Sequence, residues 1–308
     1  MDIHDISALF GISASELTQL RKGHINQTFL VTSETGEKFI LQSLNREVFH
    51  SPESVMWNIS MIESAFAHEN TAAVPHFLEC NGRNYAVADG EVWRMYQYAE
   101  NADIAEKARI TGFAHGRFIN VLSRTDIKLK PTIEVFHNYN NYVEKLKAVS
   151  PTDEVTDRLS AVGGEISRVF ADVPKRNIHG DAKADNIIIG EPCTIIDLDT
   201  AMYGYAAIDF GDMIRSADEN DIIALTEGFA EGLDGVLTEN EIGSLYYGII
   251  WVTAELAARY LTDVYAEKRY FAGKTREQCR ERADSLLKQL SGYEKMRHDL
   301  ETIIKNAF

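Results

Sequence analysis

The residues best suited to chemistry lie in one segment, residues 177–200, which reads NIHGDAKADNIIIGEPCTIIDLDT. Within it, Asp181 and Asn186 are five positions apart, and Asp197 follows eleven residues after Asn186. Two short apolar runs, NIIIG and TIIDL, predict a tight hairpin that returns Asp197 close to Asn186. Amide and carboxylate oxygens suit Mg²⁺, which proteins bind through one or two carboxylates together with substrate phosphates and water. Such a cation would offset the carboxylates, and Lys183 is spaced to meet a phosphoryl group as a point charge.

The composition limits the partners that this chain can bind. Its 308 residues, 45% of them apolar, are enough for a packed core and predict two lobes. The net charge of −16 disfavours nucleic acid and anionic membranes as partners, because the field of the protein repels both. No run approaches the roughly 18 apolar residues of a membrane span, and residues 1–10 lack a signal-peptide pattern, so a cytoplasmic location is expected. Three scattered cysteines indicate neither a disulfide framework nor a zinc cluster.

Hydrophobic periodicity divides the chain near residue 98. Alternating patterns dominate before this point, and helical spacing dominates from residue 112 onward. Strands are predicted at residues 27–32 and 38–43 and on both sides of the Asp89-Gly90 turn, and helices at residues 51–68, 133–146, 155–169, 239–266 and 276–304. Residues 1–20 show only a short amphipathic segment. We therefore expect a small β-rich lobe, residues 1–98, and a larger, mainly helical lobe, residues 99–308.

The string HGDAKADN followed by IDLDT resembles the catalytic loop and metal-binding aspartate of the aminoglycoside phosphotransferase and choline kinase group, relatives of the protein kinases. The resemblance implies a bilobal, protein-kinase-like α+β fold with ATP bound between the lobes. It implies that Asp181 orients or deprotonates the acceptor hydroxyl and that Lys183 contacts the transferred phosphoryl group. It also implies that Asn186 and Asp197 hold Mg²⁺.

Three further residues of this neighbourhood are expected to have supporting tasks. The resemblance implies that Asp209, in IDFGDMIR, accepts hydrogen bonds from the backbone of the catalytic loop. His179 is expected to pack in the core and to hydrogen-bond the backbone rather than to act in catalysis. Asp199 has three alternatives at this point: a ligand of the metal, a partner of Lys183, or a solvated turn residue.

The nucleotide is expected to bind to the smaller lobe and at the hinge. The segment KGHINQT contains one glycine, Gly23, and the backbone amides around Asn26 and Thr28 are expected to cradle phosphates. The hinge between the lobes falls near Gln97 and Tyr98. We expect both hinge residues to contact the nucleotide.

The third strand departs from the protein-kinase pattern. It reads KFILQ, so that Gln42 stands where the protein kinases carry a lysine that pairs with a helix glutamate. Lys38 shares the strand face but lies about 13 Å away along the strand, which is too far to substitute. We therefore expect Gln42 to donate one neutral hydrogen bond to a phosphate oxygen, while Mg²⁺ and Lys183 hold most of the charge. Glu63, the best-placed helix glutamate, is expected to be a surface residue.

A narrower resemblance rests on the order of several motifs across nearly the whole chain. GHINQTFLV, FILQSLNREVF, WRMYQY, TIEVFHN, IDLDTAMYG and ELAARYLTDVYAEKRYF resemble the N-acetylhexosamine 1-kinases. In that family, an arginine and a tyrosine eleven residues later contact the sugar, and they match Arg259 and Tyr270. The alternative for Arg259 is a salt bridge with Glu255 or Asp263, each one helical turn away. The resemblance implies transfer of the γ-phosphoryl group of ATP to the anomeric hydroxyl of an N-acetylhexosamine, with no obligate protein partner.

Two other functions fit the same motifs. One is a related small-molecule kinase that acts on choline, an aminoglycoside, an amino alcohol or another sugar. Choline would require an aromatic cage, and an aminoglycoside would require a strongly acidic wall. The other is a nucleotide-binding pseudokinase, which the intact Asp181, Asn186 and Asp197 disfavour.

Overall fold

Five of the six strands described in the N-terminal part build one antiparallel sheet. The computed structural model describes residues 1–20, 25–150, 153–271 and 273–308. Its strands are β1 (Ala14–Leu20), β2 (Gln27–Ser33), β3 (Lys38–Ser43), β4 (Ala72–Ala73), β5 (Ala86–Ala88), β6 (Glu91–Gln97), β7 (Arg176–Ile178), β8 (Ile187–Ile188), β9 (Cys193–Ile195) and β10 (Met202–Gly204). The main sheet has the order β1-β2-β3-β6-β5, β7 pairs with β10, and β9 lies between β4 and β8. Both hairpins predicted in this part of the chain are therefore present.

Most of the chain beyond the main sheet is helical. The helices are α1 (Ile3–Ala8), α2 (Pro52–Phe66), α3 (Lys107–Ser123), α4 (Tyr139–Val149), α5 (Glu154–Val169), α6 (Ala206–Ser216), α7 (Ile222–Leu233), α8 (Glu239–Tyr265), α9 (Arg276–Lys295) and α10 (Arg297–Ala307). Helix α8 begins with a capping box between Thr238 and Glu241, which satisfies N–H groups that the first turn leaves unpaired. In the described part of the chain, no helix combines the length and the apolar character that a membrane crossing requires.

The register of the main sheet brings three polar residues into one row. Thr28 on β2 lies opposite Gln42 on β3, and Gln42 lies opposite Arg94 on β6. Residues directly opposite each other in a sheet share a face, so these three side chains are neighbours. The adjacent row, which includes Leu41 and Met95, points to the other face and is fully buried in apolar core.

A second apolar cluster lies between the main sheet and the helices of the larger lobe. It combines Val55 and Ile62 of α2 with Phe118 of α3 and Ile195 of β9, and all four side chains are fully buried. Strand β4 also pairs in parallel with β9. The hairpin of β8 and β9 is thus anchored in apolar contacts with both lobes.

Helices α6 and α8 approach each other at backbone distance. A Cβ at Gly248 of α8 would lie 1.8 Å from the carbonyl oxygen of Ala207, and one at Gly211 of α6 would lie 2.3 Å from the carbonyl oxygen of Gly248. Only glycine permits this approach. Asp209, which is predicted to hold the catalytic loop, lies on α6, and Arg259, the predicted acceptor residue, lies on α8. The contact between the two helices therefore fixes these two residues relative to each other.

The helix predicted at residues 133–146 begins later than its periodicity indicates. Its first residue is Tyr139, because the side chain of Asn138 caps the helix by accepting a hydrogen bond from the backbone N–H of Asn141 at 3.2 Å. Val135 and His137 have φ angles of 56° and 52°, in the left-handed region that interrupts a right-handed helix. The apolar spacing of residues 133–138 therefore belongs to an ordered loop.

Two other segments also differ from the sequence prediction. Residues 1–20 form α1, which begins with a capping box between Asp2 and Asp5, and the edge strand β1, in which Leu17 pairs with Val31. The strand was missed because none of its side chains is fully buried, so its apolar alternation is weak. The helix predicted at residues 276–304 is divided into α9 and α10, which meet at Met296.

Candidate active site

The catalytic loop lies between β7 and β8 and is held by Asp209 at the start of α6. The Asp209 carboxylate accepts hydrogen bonds from the backbone N–H groups of His179 at 2.7 Å and Gly180 at 2.8 Å. Gly180 has a φ of 79°, and a Cβ there would lie 2.5 Å from the carbonyl oxygen of Thr200. Burial raises the pKa of Asp209 to about 6. These backbone contacts are the ones that the family resemblance implies for Asp209.

Asp181, Lys183 and Asn186 are in direct contact. Nζ of Lys183 lies 2.6 Å from Oδ2 of Asp181, and Nδ2 of Asn186 donates to the same oxygen at 3.0 Å. Burial alone would raise the pKa of Asp181, but the ammonium group of Lys183 outweighs burial and lowers it. Burial acts to lower the pKa of Lys183, but Asp181 outweighs it and the net shift is upward. Asp181 is therefore an ionised carboxylate, the form that can accept a hydroxyl proton.

Asp197 lies beside Asn186, as the predicted hairpin requires. The backbone N–H of Ile196 donates to the carbonyl oxygen of Asn186 at 2.9 Å. Among the described residues, no hydrogen bond or ion pair engages the carboxylate of Asp197. Desolvation, together with the nearby carboxylates of Asp199 and Asp181, raises the pKa of Asp197 to about 6.

The residues at this hairpin fit a divalent cation. A cation would relieve the repulsion on Asp197, and one carboxylate with one amide oxygen is a donor set that suits Mg²⁺. Within residues 1–20, 25–150, 153–271 and 273–308, no three His, Cys, Asp or Glu side chains form a metal-binding group. The remaining ligands would therefore be substrate phosphates, backbone oxygens and water, as is usual for Mg²⁺ at phosphoryl-transfer sites.

His179 is buried and bonds the backbone with both ring nitrogens. Its Nε2 donates to the carbonyl oxygen of Ile196 at 2.9 Å, and its Nδ1 accepts from the backbone N–H of Asp181 at 3.3 Å. The ring also packs against those of His115 and Phe118. Because neither nitrogen is free, His179 cannot exchange protons with a substrate in this arrangement.

Asp199 has a partner that the sequence analysis did not consider. Both of its oxygens contact the terminal nitrogens of Arg94 on β6, with Nη2 of Arg94 donating to Oδ2 at 3.0 Å. Each of the two side chains is only 2% exposed. Lys183 pairs with Asp181 instead. The alternatives that made Asp199 a partner of Lys183 or a solvated turn residue are therefore wrong.

Gln42 belongs to the same network, and its predicted phosphate contact needs correction. Its carbonyl oxygen accepts hydrogen bonds from Nε and Nη2 of Arg94 at 3.0 and 2.7 Å, and its amide donates to Oγ1 of Thr28 at 3.1 Å. The amide of Gln42 therefore donates its hydrogen bond within the sheet and not to a phosphate. Arg94 lies within the WRMYQY motif, but no task for it was predicted from the sequence. The available signal was an arginine within an otherwise apolar strand.

The side chains of Asn26 and Thr28 also bond within the protein. Nδ2 of Asn26 donates to Oδ2 of Asp199 at 2.7 Å, and Oδ1 of Asn26 accepts from the backbone N–H of Asn45 at 3.0 Å. The Thr28 hydroxyl accepts from Gln42. The predicted phosphate contacts of these two residues would therefore be made by their backbone amides.

The predicted hinge residues follow the end of β6. Gln97 is the exposed last residue of the strand, and the backbone N–H of Tyr98 donates to the carbonyl oxygen of Lys38 at 3.0 Å. Nζ of Lys38 lies 3.1 Å from a carboxylate oxygen of Glu100, so this lysine is engaged at the hinge. Gly23, the remaining one of the six residues predicted to bind the nucleotide, lies outside the described residues.

Arg259 on α8 lies among four aromatic rings. Its guanidinium carbon is 4.7 Å from the ring centroid of Tyr270 and 5.2, 5.6 and 5.7 Å from those of Tyr142, Phe271 and Phe136. Within the described part of the chain, no hydrogen bond or ion pair engages its N–H groups. A guanidinium has five such donors, so this arginine is equipped to bind a ligand with several acceptor atoms.

The two carboxylates expected as partners of Arg259 are engaged elsewhere. Oε1 of Glu255 lies 3.3 Å from Nδ1 of His137. Asp263 accepts hydrogen bonds from the backbone N–H groups of residues 270 and 271 at 3.0 and 2.6 Å. The salt-bridge alternative for Arg259 is therefore wrong, and Asp263 instead positions the loop that carries Tyr270.

His137 and Glu255 form a buried pair that connects α8 to the catalytic loop. Nε2 of His137 donates to the carbonyl oxygen of Gly180 at 2.8 Å. Burial alone would lower the pKa of His137, but Glu255 outweighs burial and raises it. Glu255 and the carbonyl oxygen of Gly180 thus lie beside the two ring nitrogens of His137. His137 was not predicted as a site residue, because the loop that holds it was predicted to be helical.

With this geometry established, comparison with known proteins identifies the family. The chain belongs to the phosphotransferase enzyme family (APH), whose model matches residues 16–242. Similar solved structures include a microcompartment-associated aminopropanol kinase, with a TM-score of 0.70 and 14% identity over 96% of this chain and 98% of that chain. A choline/ethanolamine kinase family protein from Mesorhizobium loti has a TM-score of 0.65 and 15% identity over 95% of this chain and 92% of its own.

A third similar structure is amicoumacin kinase hAmiN in complex with AMP-PNP, Ca²⁺ and Ami. Its TM-score is 0.63 with 14% identity, over 92% of this chain and 88% of that chain. At such identities the likeness concerns the fold, and it confirms the predicted bilobal, protein-kinase-like α+β architecture. The family match also confirms the prediction of a phosphotransferase.

Proposed function

We propose that this chain is a Mg²⁺- and ATP-dependent kinase for a small hydroxylated acceptor, and that the acceptor is an N-acetylhexosamine phosphorylated at its anomeric hydroxyl. The family match and the contact between Asp181, Lys183 and Asn186 support the reaction class. The guanidinium of Arg259, which lies over the Tyr270 ring and has no hydrogen bond or ion pair within the described residues, is the observation that carries the choice of acceptor.

The residues of the catalytic loop suit in-line phosphoryl transfer. The acceptor oxygen attacks the γ-phosphorus, the bond from that phosphorus to the bridging oxygen of ADP breaks, and the hydroxyl proton passes to Asp181. Lys183, beside Asp181, is placed to offset the negative charge of the transferred group. Mg²⁺, held by Asn186 and Asp197, would neutralise phosphate charge. Positioning and charge stabilisation are what this reaction requires from a protein.

The acceptor residues are linked to this loop by short contacts. Phe136 packs against Arg259, and the next residue, His137, donates to the carbonyl oxygen of Gly180, which precedes Asp181. An acceptor that hydrogen-bonds Arg259 would therefore lie near the carboxylate that receives its proton. The acetamido oxygen and the ring hydroxyls of an N-acetylhexosamine are acceptors for a guanidinium, and aromatic rings suit the apolar face of a sugar.

The charge of Arg259 disfavours the cationic acceptors considered. Choline, ethanolamine, amino alcohols and aminoglycosides are cations, and a guanidinium in the acceptor pocket would repel them. The aromatic rings that would cage a quaternary ammonium already surround this guanidinium. A neutral sugar avoids both penalties.

An acceptor screen tests the proposal. ADP release would be measured with GlcNAc, GalNAc, glucose, glucosamine, choline and an aminoglycoside, and ³¹P NMR would locate the phosphate in the product. Turnover is expected to be highest with the two N-acetylated sugars, and Asp181→Asn serves as the control for a contaminating kinase. Preferential turnover of a cationic acceptor would overturn the sugar assignment. Binding of MgATP without turnover of any acceptor would favour a pseudokinase.

A further inference from the structure

Arg94 is at the centre of a hydrogen-bond network that joins the main sheet to the metal-binding hairpin. On the sheet side, its Nε and Nη2 donate to the carbonyl oxygen of Gln42 at 3.0 and 2.7 Å. On the hairpin side, its two terminal nitrogens meet the two carboxylate oxygens of Asp199. The guanidinium is planar and must bond the Asp199 carboxylate on one side and the amide oxygen of Gln42 on the other. These two partners therefore restrict it to one orientation.

The predicted phosphate loop is tied into the same network. Nδ2 of Asn26 donates to Oδ2 of Asp199 at 2.7 Å, while Oδ1 of Asn26 accepts from the backbone N–H of Asn45. The backbone of Asp199 is held too, because Oγ1 of Thr132 donates to its carbonyl oxygen at 2.6 Å. Asp199 is thus fixed through side chain and backbone by several separate segments.

These contacts show that Arg94 does not replace the missing strand lysine at the phosphates. Four hydrogen bonds to Gln42 and Asp199 use its N–H groups, of which a guanidinium has five. The side chain is also only 2% exposed, so a nucleotide has little access to it. What Arg94 controls is Asp199, which follows the predicted metal ligand Asp197 by two residues.

The helix glutamate takes only an indirect part. Oε1 of Glu63 accepts from the backbone N–H of Phe77 at 3.0 Å and lies 3.1 Å from Nδ1 of His76. The side chain is only 20% exposed, so the prediction that Glu63 is a surface residue is wrong. The ring of Phe77 lies 5.5 Å from the guanidinium carbon of Arg94. Helix α2 therefore supports Arg94 through Phe77 instead of pairing with a lysine.

We propose that Arg94 is a positioning residue for the metal site, which holds Asp199 and thereby aims Asp197 at the divalent cation that accompanies the nucleotide. The inference rests on the proposed nucleotide-dependent function and names Arg94 as the residue that positions the metal ligand. Asp197 makes no side-chain bond of its own among the described residues, so its direction depends on the backbone on either side. Second-layer partners of metal ligands act in this way, and their loss lowers metal affinity by about 10- to 100-fold.

The test measures binding of ADP by calorimetry at increasing Mg²⁺ concentration. The variants are Arg94→Lys, which keeps the charge but loses the fork, and Asp199→Asn, which keeps the shape but loses the charge. Both are expected to raise the Mg²⁺ concentration at half-maximal ADP binding by roughly 10-fold or more. Melting temperatures recorded on the same preparations report the loss of folding stability.

Arg117→Lys is the matched control. Arg117 of α3 donates to Oε2 of Glu69 at 3.0 and 2.7 Å, with 16% and 7% side-chain exposure, and it contacts none of the site residues. Because its ion-pair partner Glu69 is not a site residue, this variant is expected to lower the melting temperature while leaving the Mg²⁺ dependence of ADP binding unchanged. If Arg94→Lys behaves like Arg117→Lys, Arg94 is part of the scaffold and the inference is overturned.

Two further outcomes are decided by the same design. If the Arg94 variant does not fold, Gln42→Leu removes the oxygen that orients the guanidinium while leaving the ion pair, and an unchanged Mg²⁺ midpoint there overturns the inference. ADP binding needs no acceptor, so a wrong sugar assignment does not affect the result. A wild-type protein that fails to bind ADP at any Mg²⁺ concentration would contradict the proposed function as well.

Discussion

Replacing Arg259 with methionine separates binding of the acceptor from support of the fold. Methionine keeps an unbranched apolar stem among the four rings but removes all five N–H donors. The structure predicts a small effect on stability, because no ion pair or hydrogen bond to Arg259 exists within the described residues. Each cation–π contact is worth about 0.5–1 kcal/mol at an exposed site and about 2 kcal/mol or more where it is desolvated. Arg259 is partly buried, so removal of its charge from this position and sulfur–aromatic contacts of about 0.3–1.5 kcal/mol both offset that loss.

The effect on the acceptor is expected to be larger. A hydrogen bond from a charged donor contributes about 1.5–3 kcal/mol, which corresponds to a loss of roughly 10- to 150-fold in kcat/KM for the sugar. The KM for MgATP should stay nearly constant, because α8 is not part of the predicted nucleotide site. If the guanidinium binds the acetamido oxygen, Arg259→Met should impair turnover of GlcNAc more than that of glucose.

Initial rates at varied sugar and at varied MgATP, with a melting curve of each preparation, measure these quantities. Arg280→Met is the matched control, because Arg280 lies 5.1 Å from the ring centroid of Tyr265 and donates to its hydroxyl at 2.6 Å, outside the site. The control should keep normal sugar kinetics. An Arg259→Met enzyme with a lowered melting temperature and an unaltered kcat/KM for the sugar would refute the acceptor assignment.

The remaining predictions concern the catalytic loop and the metal hairpin. Asp181→Asn should fold and bind MgATP but lose about 10²- to 10⁴-fold in turnover, the usual scale for a positioned acid–base group, and activity within threefold of wild type would contradict its assignment. Lys183→Ala should lower kcat more than it weakens ATP binding, since charge on the phosphoryl oxygens changes in the transition state; a raised KM for ATP with unchanged kcat would make it a ground-state contact. Asn186→Ala and Asp197→Ala should each raise the Mg²⁺ requirement, Asp197 more strongly because it carries the charge, and Mg²⁺ titrations that match wild type would exclude a metal site at this hairpin.

The hairpin of β8 and β9 could be predicted because the residues that indicate it are close together in the sequence. Asp181, Asn186 and Asp197 lie within 24 residues, and the two apolar runs between them specify β8 and β9 without reference to the rest of the chain. The backbone hydrogen bond between Ile196 and Asn186 shows that the chain returns to Asn186, as the spacing predicts. Short-range pattern is thus sufficient where the pairing partners are neighbours in sequence.

The Arg94 network could not be predicted in the same way. It depends on the register of three strands, on which Gln42 meets Arg94, and on a contact to Asp199 more than a hundred residues away. A one-residue slip of β6 would place Arg94 on the opposite face, and sequence pattern alone does not fix the register between strands that are far apart along the chain. The sequence showed only that the usual lysine was missing.

The loop at residues 131–138 shows why periodicity misled the sequence analysis. Apolar residues at helical spacing predict one face of a helix, but Val135 and His137 adopt left-handed φ angles. Such conformations are uncommon outside glycine and persist where the surrounding contacts fix them. For His137, those contacts are Glu255 and the carbonyl oxygen of Gly180, neither of which lies nearby in the sequence.

Glu255 and Arg259 of α8, which the sequence suggested as a salt-bridged pair, point to different parts of the protein. Glu255 points to His137 and, through it, to the carbonyl oxygen of Gly180 in the catalytic loop, whereas Arg259, one turn later, lies among the aromatic rings. An i,i+4 salt bridge between them would contribute only about 0.2–0.5 kcal/mol. Because this salt bridge is absent, the guanidinium of Arg259 is available for a ligand, and the carboxylate of Glu255 lies beside His137, which contacts the catalytic loop. One helix therefore sets the proposed acceptor residue and the proposed catalytic loop relative to each other, which is the alignment that phosphoryl transfer demands.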